Sequence, residues 1–195
     1  MQERLADNRQ RIVLTARRLI AMGGFKNASI AAVASEVGLS TGAMYRYFPS
    51  KAELFVEVLT EAVDREVEIL RQIIAAEGSA AERMSAAVES FARRALEGPH
   101  LAYAFIAEPV DAEVDEARIL CRQKFSEVFK IVLREGIASG QFPAQSVDVS
   151  AACIVGAFTE ALVRPVGPSA GVKEAGEPLI KAIVDFCTNA VRGPA

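Results

Sequence analysis

The chain has 195 residues, of which 51% are hydrophobic and 24% are charged, and its net charge at pH 7 is -3. This length fits one extended domain or two small ones, and the apolar fraction suffices for a core and a subunit interface. No apolar run approaches the roughly 18 residues that a membrane span needs, and the polar N-terminus predicts no signal peptide, so we expect a cytoplasmic protein.

The hydrophobic periodicity predicts an all-α fold with about nine helices and no strands. Glycines and prolines mark the breaks between the helices. We expect an N-terminal head over residues 1–50 with three helices and a helical body over residues 51–195 with six. A mobile loop is expected over residues 166–177. The predicted helices cover residues 8–22, two short segments between 29 and 48, and then 51–76, 80–96, 101–107, 114–139, 148–163 and 178–191.

Charge is distributed unevenly along the chain. Residues 1–51 contain eight Lys or Arg and three Asp or Glu, so the remaining residues carry a net negative charge. A basic head on an acidic body concentrates the attraction for phosphate at one end of the molecule. Ordinary solvated helix faces would explain the same distribution if no DNA-binding motif were present.

Residues 28–51 have the layout of a helix-turn-helix, in which the second helix enters the DNA major groove. Ser29 suits the N-cap of the first helix and Ser40 that of the second. Gly38 can end the first helix in a left-handed conformation. Met44 and Phe48 lie four residues apart and are predicted to pack inward, with the second helix continuing to Phe48.

The residues left on the outside of this motif predict how it meets DNA. Arg46 can form a bidentate contact to guanine, and Thr41 can bond a base or touch a thymine methyl group. The serine hydroxyls, the tyrosines and Lys51 suit phosphate, although core packing is the alternative for Tyr45 and Tyr47. The residues predicted to contact DNA are Ser29, Ser40, Thr41, Gly42, Ala43, Tyr45, Arg46, Tyr47 and Lys51.

This region resembles the TetR/AcrR family of bacterial transcriptional regulators, and the similarity covers the first fifty or so residues. One position departs from the family pattern. Ala31 lies where some members carry a polar residue that touches a base, so base reading is expected mainly from the second helix. The matching features are Ser29, Val33-Ala34, Gly38-Leu39-Ser40, the segment from Gly42 to Phe48, Ser50-Lys51 and Leu54.

A dimer is expected, because one head this small buries too little surface for useful specificity. Two heads should lie about 34–36 Å apart, or a larger multiple of a turn, to reach successive major grooves. Family members generally dimerise through their last two helices, and this chain has small and apolar residues there. Packing against their own core is the alternative. The predicted interface residues are Ala152, Gly156, Leu179, Ile183, Phe186, Cys187 and Ala190.

The resemblance also implies a small-molecule pocket in the body, whose occupancy releases the protein from DNA. Aromatic side chains on the middle helices suggest an apolar or amphipathic ligand, with charged residues as anchors. Core packing of the aromatic residues is the alternative, and His100 is expected to lie in a loop. The candidate ligand residues are Phe91, Arg94, His100, Tyr103, Phe105, Arg122, Phe125, Phe129, Phe158 and Glu160.

Two hypotheses remain for the whole protein: a dimeric repressor released by a ligand, and a DNA-organising protein with the same head and a filled body. A cavity smaller than roughly 300 Å³ would favour the second. No motif for an enzyme, a cofactor or a metal is present in the sequence. Cys121, Cys153 and Cys187 are too widely spaced for a disulfide framework, so we expect reduced thiols, with redox sensing as the alternative.

Overall fold

The computed structural model describes residues 2–168 and 176–192, and over these residues the protein consists of helices and connecting turns. This confirms the all-α prediction. The predicted loop falls largely on residues 169–175, which lie outside the described ranges. The helices are α1 (Gln2–Gly23), the short 3-10 helix η1 (Phe25–Asn27), α2 (Ile30–Val37), α3 (Thr41–Met44), α4 (Lys51–Ile74), α5 (Ala80–Glu97), α6 (Pro99–Ile106), α7 (Ala112–Ala138), α8 (Val147–Val166) and α9 (Gly176–Arg192).

The start of α6 differs from the prediction. The helix begins at Pro99 rather than Leu101, since the fixed backbone angle of proline suits the first turn of a helix. His100 is therefore an exposed residue in the first turn of α6 and does not lie in a loop.

The helices form two compact units. Unit 1 comprises Met1–Ala62 and Gly98–Arg118, and unit 2 comprises Val63–Glu97 and Ile119–Ala195. α6 belongs to unit 1 because it packs against α1. The units describe packing, so the boundary between a DNA-binding and a sensing region at residue 50 stays a prediction.

Unit 1 has a core of apolar side chains from α1, α2, α3 and α4. The predicted inward packing of Met44 and Phe48 is confirmed, since both side chains are completely buried. Phe25 in η1 packs against Phe55 of α4 with ring centroids 4.4 Å apart. This core holds the two short helices against longer ones, which they need because four- and eight-residue helices are not stable alone.

Unit 2 is organised around α8, which packs against α5 and α9. By length and composition alone, α8 is the one helix of the described residues that could cross a membrane. One of its faces is buried in unit 2 and the opposite face is also rich in apolar residues, which explains that composition. The buried residues of α8 are Ala151, Ile154, Val155, Phe158, Thr159, Leu162 and Val166.

Replacing Gly38 by alanine is expected to lower the free energy of unfolding by about 1 kcal/mol. Gly38 has a φ of 73°, and an added Cβ would meet no atom within 4 Å, so the cost is backbone strain alone. Gly42→Ala is the matched control, because its Cβ also meets nothing and its backbone is helical. Urea unfolding measures both variants, and equal destabilisation would contradict this account.

Candidate nucleic-acid interface and ligand region

The turn between α2 and α3 forms as the sequence predicts. The Ser29 hydroxyl accepts a hydrogen bond from the backbone N–H of Ala32 at 3.1 Å, and Ser40 accepts from Ala43 at 3.1 Å. Each serine oxygen thus caps its helix while the hydroxyl proton remains available to an outside acceptor such as phosphate. The helix-turn-helix prediction is confirmed.

The recognition helix is shorter than predicted. α3 ends at Met44, and Tyr45, Arg46 and Tyr47 lie in the turn that follows. The tighter bond from the Tyr47 N–H to the Met44 carbonyl, at 2.9 Å, marks this change of geometry. Pro49 disfavours helical geometry at Phe48, the residue before it, so the helix does not resume after this turn.

Most of the predicted DNA contacts are on the surface. Tyr45 is 52% exposed, which excludes core packing for it, whereas Tyr47 and Ala43 are half-buried. The Arg46 side chain forms no ion pair or hydrogen bond with any described residue. Exposed residues of the set are Ser29, Ser40, Thr41, Gly42, Tyr45, Arg46 and Lys51.

Arg9 of α1 contacts the recognition segment, which consists of α3 and the turn after it up to Phe48. Its guanidinium lies 4.2 Å from the centroid of the Phe48 ring and donates to the Tyr47 carbonyl. It also forms a bidentate ion pair with Glu57 of α4. One side chain therefore joins α1, the end of the recognition segment and α4.

A second set of polar contacts ends at the Tyr47 hydroxyl. Arg11 donates to the Asn8 side-chain oxygen at 3.1 Å and to the Val37 carbonyl at 3.4 Å. The Asn8 side-chain amide in turn donates to the Tyr47 oxygen at 3.1 Å. Tyr47 is therefore bonded to α1 through its hydroxyl while its ring is half-buried.

The segment after α6 is bonded to the end of α1 within unit 1. The Glu108 carboxylate accepts from the backbone N–H of Phe25 at 2.9 Å. Arg118, which is 7% exposed, donates to the carbonyls of Ala104 and Glu108 and pairs with Asp115. These contacts fix the position of η1, which directly precedes the helix-turn-helix.

Four of the candidate ligand residues form an aromatic cluster in unit 2. The Phe91 ring centroid lies 5.4 Å from that of Phe125 and 4.7 Å from that of Phe158, and Phe129 lies 5.7 Å from Phe158. All four side chains are buried, so in this structure the rings fill the core. Arg94 beside them is bonded to Glu66 and Ser90.

The other candidate ligand residues lie elsewhere. His100, Tyr103 and Phe105 belong to α6 in unit 1, where the Phe105 ring packs 6.2 Å from Phe25. Arg122 and Glu160 line an open groove of about 380 Å³ between α7 and α8. The ten candidates are thus divided between the two units, and those of unit 2 between the aromatic cluster and the groove.

The predicted dimer surface divides into an exposed and a buried part. Phe186 is 63% exposed, and Ala152, Gly156 and Ala190 are also exposed, whereas Leu179 is half-buried. Ile183 and Cys187 are only 5% and 1% exposed, so they pack in their own unit. Their assignment to the interface is therefore corrected. The apolar residues of α9 lie both on the face that packs in unit 2 and on the exposed face, so the sequence pattern does not separate the two faces.

The three cysteines differ in environment. Burial raises the pKa of the Cys121 and Cys187 thiols to about 11, which keeps them protonated at neutral pH. Cys153 is exposed on α8. No group of three potential metal ligands occurs among the described side chains. A redox role for these thiols stays untested.

Sequence reasoning missed the residues that position the head: Asn8, Arg9, Arg11, Glu108 and Arg118. Arg9 and Arg11 were noted only as part of the basic charge. The contacts that Arg9 and Arg11 make outside α1 span 26 to 48 residues along the chain, so no local spacing could indicate them.

The comparisons with known proteins agree with this geometry. Residues 12–58 match the family model for bacterial regulatory proteins of the tetR family, and residues 77–162 match a Tetracyclin repressor-like C-terminal domain. The Fatty acid metabolism regulator protein of Bacillus subtilis is 24% identical over 137 residues, which is 67% of this chain and 68% of that protein. The Nucleoid occlusion factor SlmA of a Marinomonas species is 27% identical over 152 residues, 75% of this chain and 77% of that protein.

A solved structure shares the fold. The transcriptional regulator FadR from Bacillus subtilis, in complex with stearoyl-CoA, superposes with a TM-score of 0.78 at 18% identity, over 93% of this chain and 98% of that one. The two family models together match more than half of the chain, including the helix-turn-helix. The chain therefore belongs to the TetR family of bacterial transcriptional regulators.

Proposed function

We propose that this protein is a cytoplasmic dimeric repressor that binds an operator through the helix-turn-helix of unit 1 and leaves it when a small amphipathic molecule binds unit 2. The observation that supports this most directly is the exposed, cap-stabilised recognition segment, in which Arg46 has no ion pair or hydrogen bond with any described residue. An arginine without an internal partner loses no protein contact when it binds a base or a phosphate.

The recognition surface divides its work between bases and phosphates. Thr41 and Arg46 read base edges, while Gly42 and Ala43 allow the backbone to come close. Lys51 starts α4, and its Nζ lies 4.9 Å from the centroid of the Phe55 ring, so its ammonium is held at a helix N-terminus suited to phosphate. The remaining phosphate contacts are assigned to Ser29, Ser40, Tyr45 and Tyr47.

The dimer forms through the exposed faces of α8 and α9. Gly156 and Ala152 present almost no side chain there, so the backbone of a second copy can approach closely. Phe186 supplies a large apolar contact beside the neighbouring groove between α8 and α9. Arg122 and Glu160 line the groove that contains Ala152 and Gly156, so we reassign them to the polar margin of this interface.

The ligand binds by separating the aromatic cluster of unit 2. An apolar group inserted between Phe91, Phe125 and Phe158 would replace ring contacts of about 0.5–1.5 kcal/mol each. Only a ligand that binds the DNA-incompetent state more tightly can shift the population. α4 contributes residues to both units and is the route we propose for the change.

A DNA-organising protein without a ligand is the second candidate. Two observations favour it: the aromatic rings already fill the core, and the Nucleoid occlusion factor SlmA is among the relatives. The groove of about 380 Å³ exceeds the expected threshold for a ligand cavity, but it is open and lies on the dimer face. The two candidates differ in whether any small molecule releases DNA.

Arg46→Ala is expected to relax sequence preference, costing about 1–3 kcal/mol on the chain's own upstream DNA and little on unrelated duplexes. Lys51→Ala is expected to weaken binding to all duplexes alike and to reduce the salt slope by about 1. Fluorescence anisotropy over a range of salt concentrations measures both effects. Arg71→Ala, an exposed change in the unit 2 part of α4, serves as the control, and equal losses for Arg46 and Arg71 would overturn this docking surface.

Gly156→Leu is expected to break the dimer without unfolding the subunit. A Cβ at Gly156 meets no atom of its own chain within 4 Å and the position is exposed, so we expect the larger side chain to fit in the subunit and to clash with a partner. Sedimentation velocity gives the mass and circular dichroism the fold. Ala138→Leu at an exposed position of α7 is the matched control. A Gly156→Leu protein that remains dimeric would place the interface elsewhere.

A tryptophan at Phe91 is expected to report ligand binding, because the natural chain has no tryptophan and is otherwise free of indole emission. Stearoyl-CoA, decanoate and an aromatic alcohol are suitable amphipathic probes. An effective probe should change the emission of Phe91→Trp, leave that of the exposed control Ile131→Trp unchanged, and release DNA in a gel shift. Release without a change at Phe91→Trp would place the ligand outside the aromatic cluster, whereas no release by a broad metabolite screen would favour the second candidate.

A further inference from the structure

The hydrogen bonds from Arg11 to Asn8 and from Asn8 to Tyr47 are donated in the same direction, toward the Tyr47 oxygen. An arginine side chain can only donate hydrogen bonds. The group of Asn8 that faces Arg11 must therefore be its carbonyl oxygen. This leaves the Asn8 amide to face Tyr47, as the 3.1 Å contact between the Asn8 nitrogen and the Tyr47 oxygen requires.

The Tyr47 oxygen therefore accepts a hydrogen bond and cannot direct its own proton toward Asn8. No other described residue accepts the Tyr47 hydroxyl proton. A half-buried hydroxyl in this state needs an acceptor from outside the protein. Tyr47 lies in the turn that follows the recognition helix, where the acceptors that DNA offers are phosphate oxygens.

We propose that Asn8 and Arg11 are positioning residues that set the Tyr47 hydroxyl as a donor to a DNA phosphate. Arg11 fixes the orientation of the Asn8 amide, and the Asn8 amide occupies the acceptor side of the Tyr47 oxygen. The donor direction set by Arg11 on α1 therefore determines the donor direction of Tyr47 in the recognition segment. This proposal rests on the DNA-binding function proposed above.

The hydrogen bond from Arg11 to the Val37 carbonyl holds the Arg11 guanidinium in place. The Val37 carbonyl belongs to the last turn of α2, where unsatisfied carbonyls attract a cation. Arg11 is thus held at the end of α2 while it orients Asn8. The donor on Tyr47 is therefore aligned with the helix-turn-helix rather than with α1 alone.

Asn8→Asp tests this polarity with almost no change in shape. A carboxylate can only accept hydrogen bonds, so the Tyr47 hydroxyl would donate to the introduced carboxylate in this variant and would no longer donate to DNA. Anisotropy with the chain's own upstream DNA and with a mixed-sequence duplex should show a loss of about tenfold in affinity on both, since phosphate contacts are independent of sequence. Tyr47→Phe should cause a similar loss.

The double variant separates proton direction from charge. If Asn8→Asp acts through the Tyr47 hydroxyl, it should cause less than about a twofold further loss in the Tyr47→Phe background. An equal loss in both backgrounds, or no loss in the wild-type background, would overturn the proposal. In the first case the introduced charge alone would be acting.

A third measurement distinguishes positioning from damage to the head. Asn8→Ala leaves the hydroxyl free to rotate, and we expect a smaller loss of affinity with the salt slope unchanged, because a neutral donor releases no counterion. A flattened slope would mean that several basic contacts had been lost together, and it would refute the positioning role. If the wild-type protein bound neither duplex, the DNA-binding function itself would fail and this proposal with it.

Discussion

The recognition segment depends on Arg9. α3 is four residues long and cannot hold its own conformation, and the turn after it is covered on one side by the Arg9 guanidinium. The ion pair between Arg9 and Glu57 has side chains that are 43% and 28% exposed, so its direct contribution to stability is at most about 1 kcal/mol. The main effect of Arg9 is therefore geometric. It holds the backbone from which the Tyr45, Arg46 and Tyr47 side chains project.

The contacts of η1 extend this dependence to α6. The backbone N–H of Phe25 donates a hydrogen bond to Glu108, and the Phe25 ring packs against the rings of Phe55 and Phe105. The buried Arg118 holds the carbonyl of Glu108. A change in the position of α6 would therefore be felt at the start of the helix-turn-helix through directed bonds rather than through loose apolar contact.

The sequence predicted those parts of the protein that are determined by neighbours along the chain. The serine caps, the Gly38 turn and the inward positions of Met44 and Phe48 all follow from spacings of a few residues, and the structure has each of them. The contacts of Asn8 and Arg9 could not be predicted in this way, because they join α1 to residues far along the chain. Ile183 and Cys187 were assigned to the wrong face because a helix between a core and an interface is apolar on both sides. The candidate ligand residues stay a prediction, since aromatic spacing on a helix does not tell which unit the helix joins.

In the proposed docking, the residues that read bases and the residues that position the recognition segment reside on different helices of this head. Thr41 and Arg46 stand on or just after α3, whereas the residues that hold and orient the recognition segment stand on α1, where we place no contact with a base. Under this proposal, substitutions on α1 would strengthen or weaken binding at every operator by a common factor without altering which operators are chosen. A regulator built in this way can adjust the level of expression of its genes while the DNA sites themselves stay unchanged.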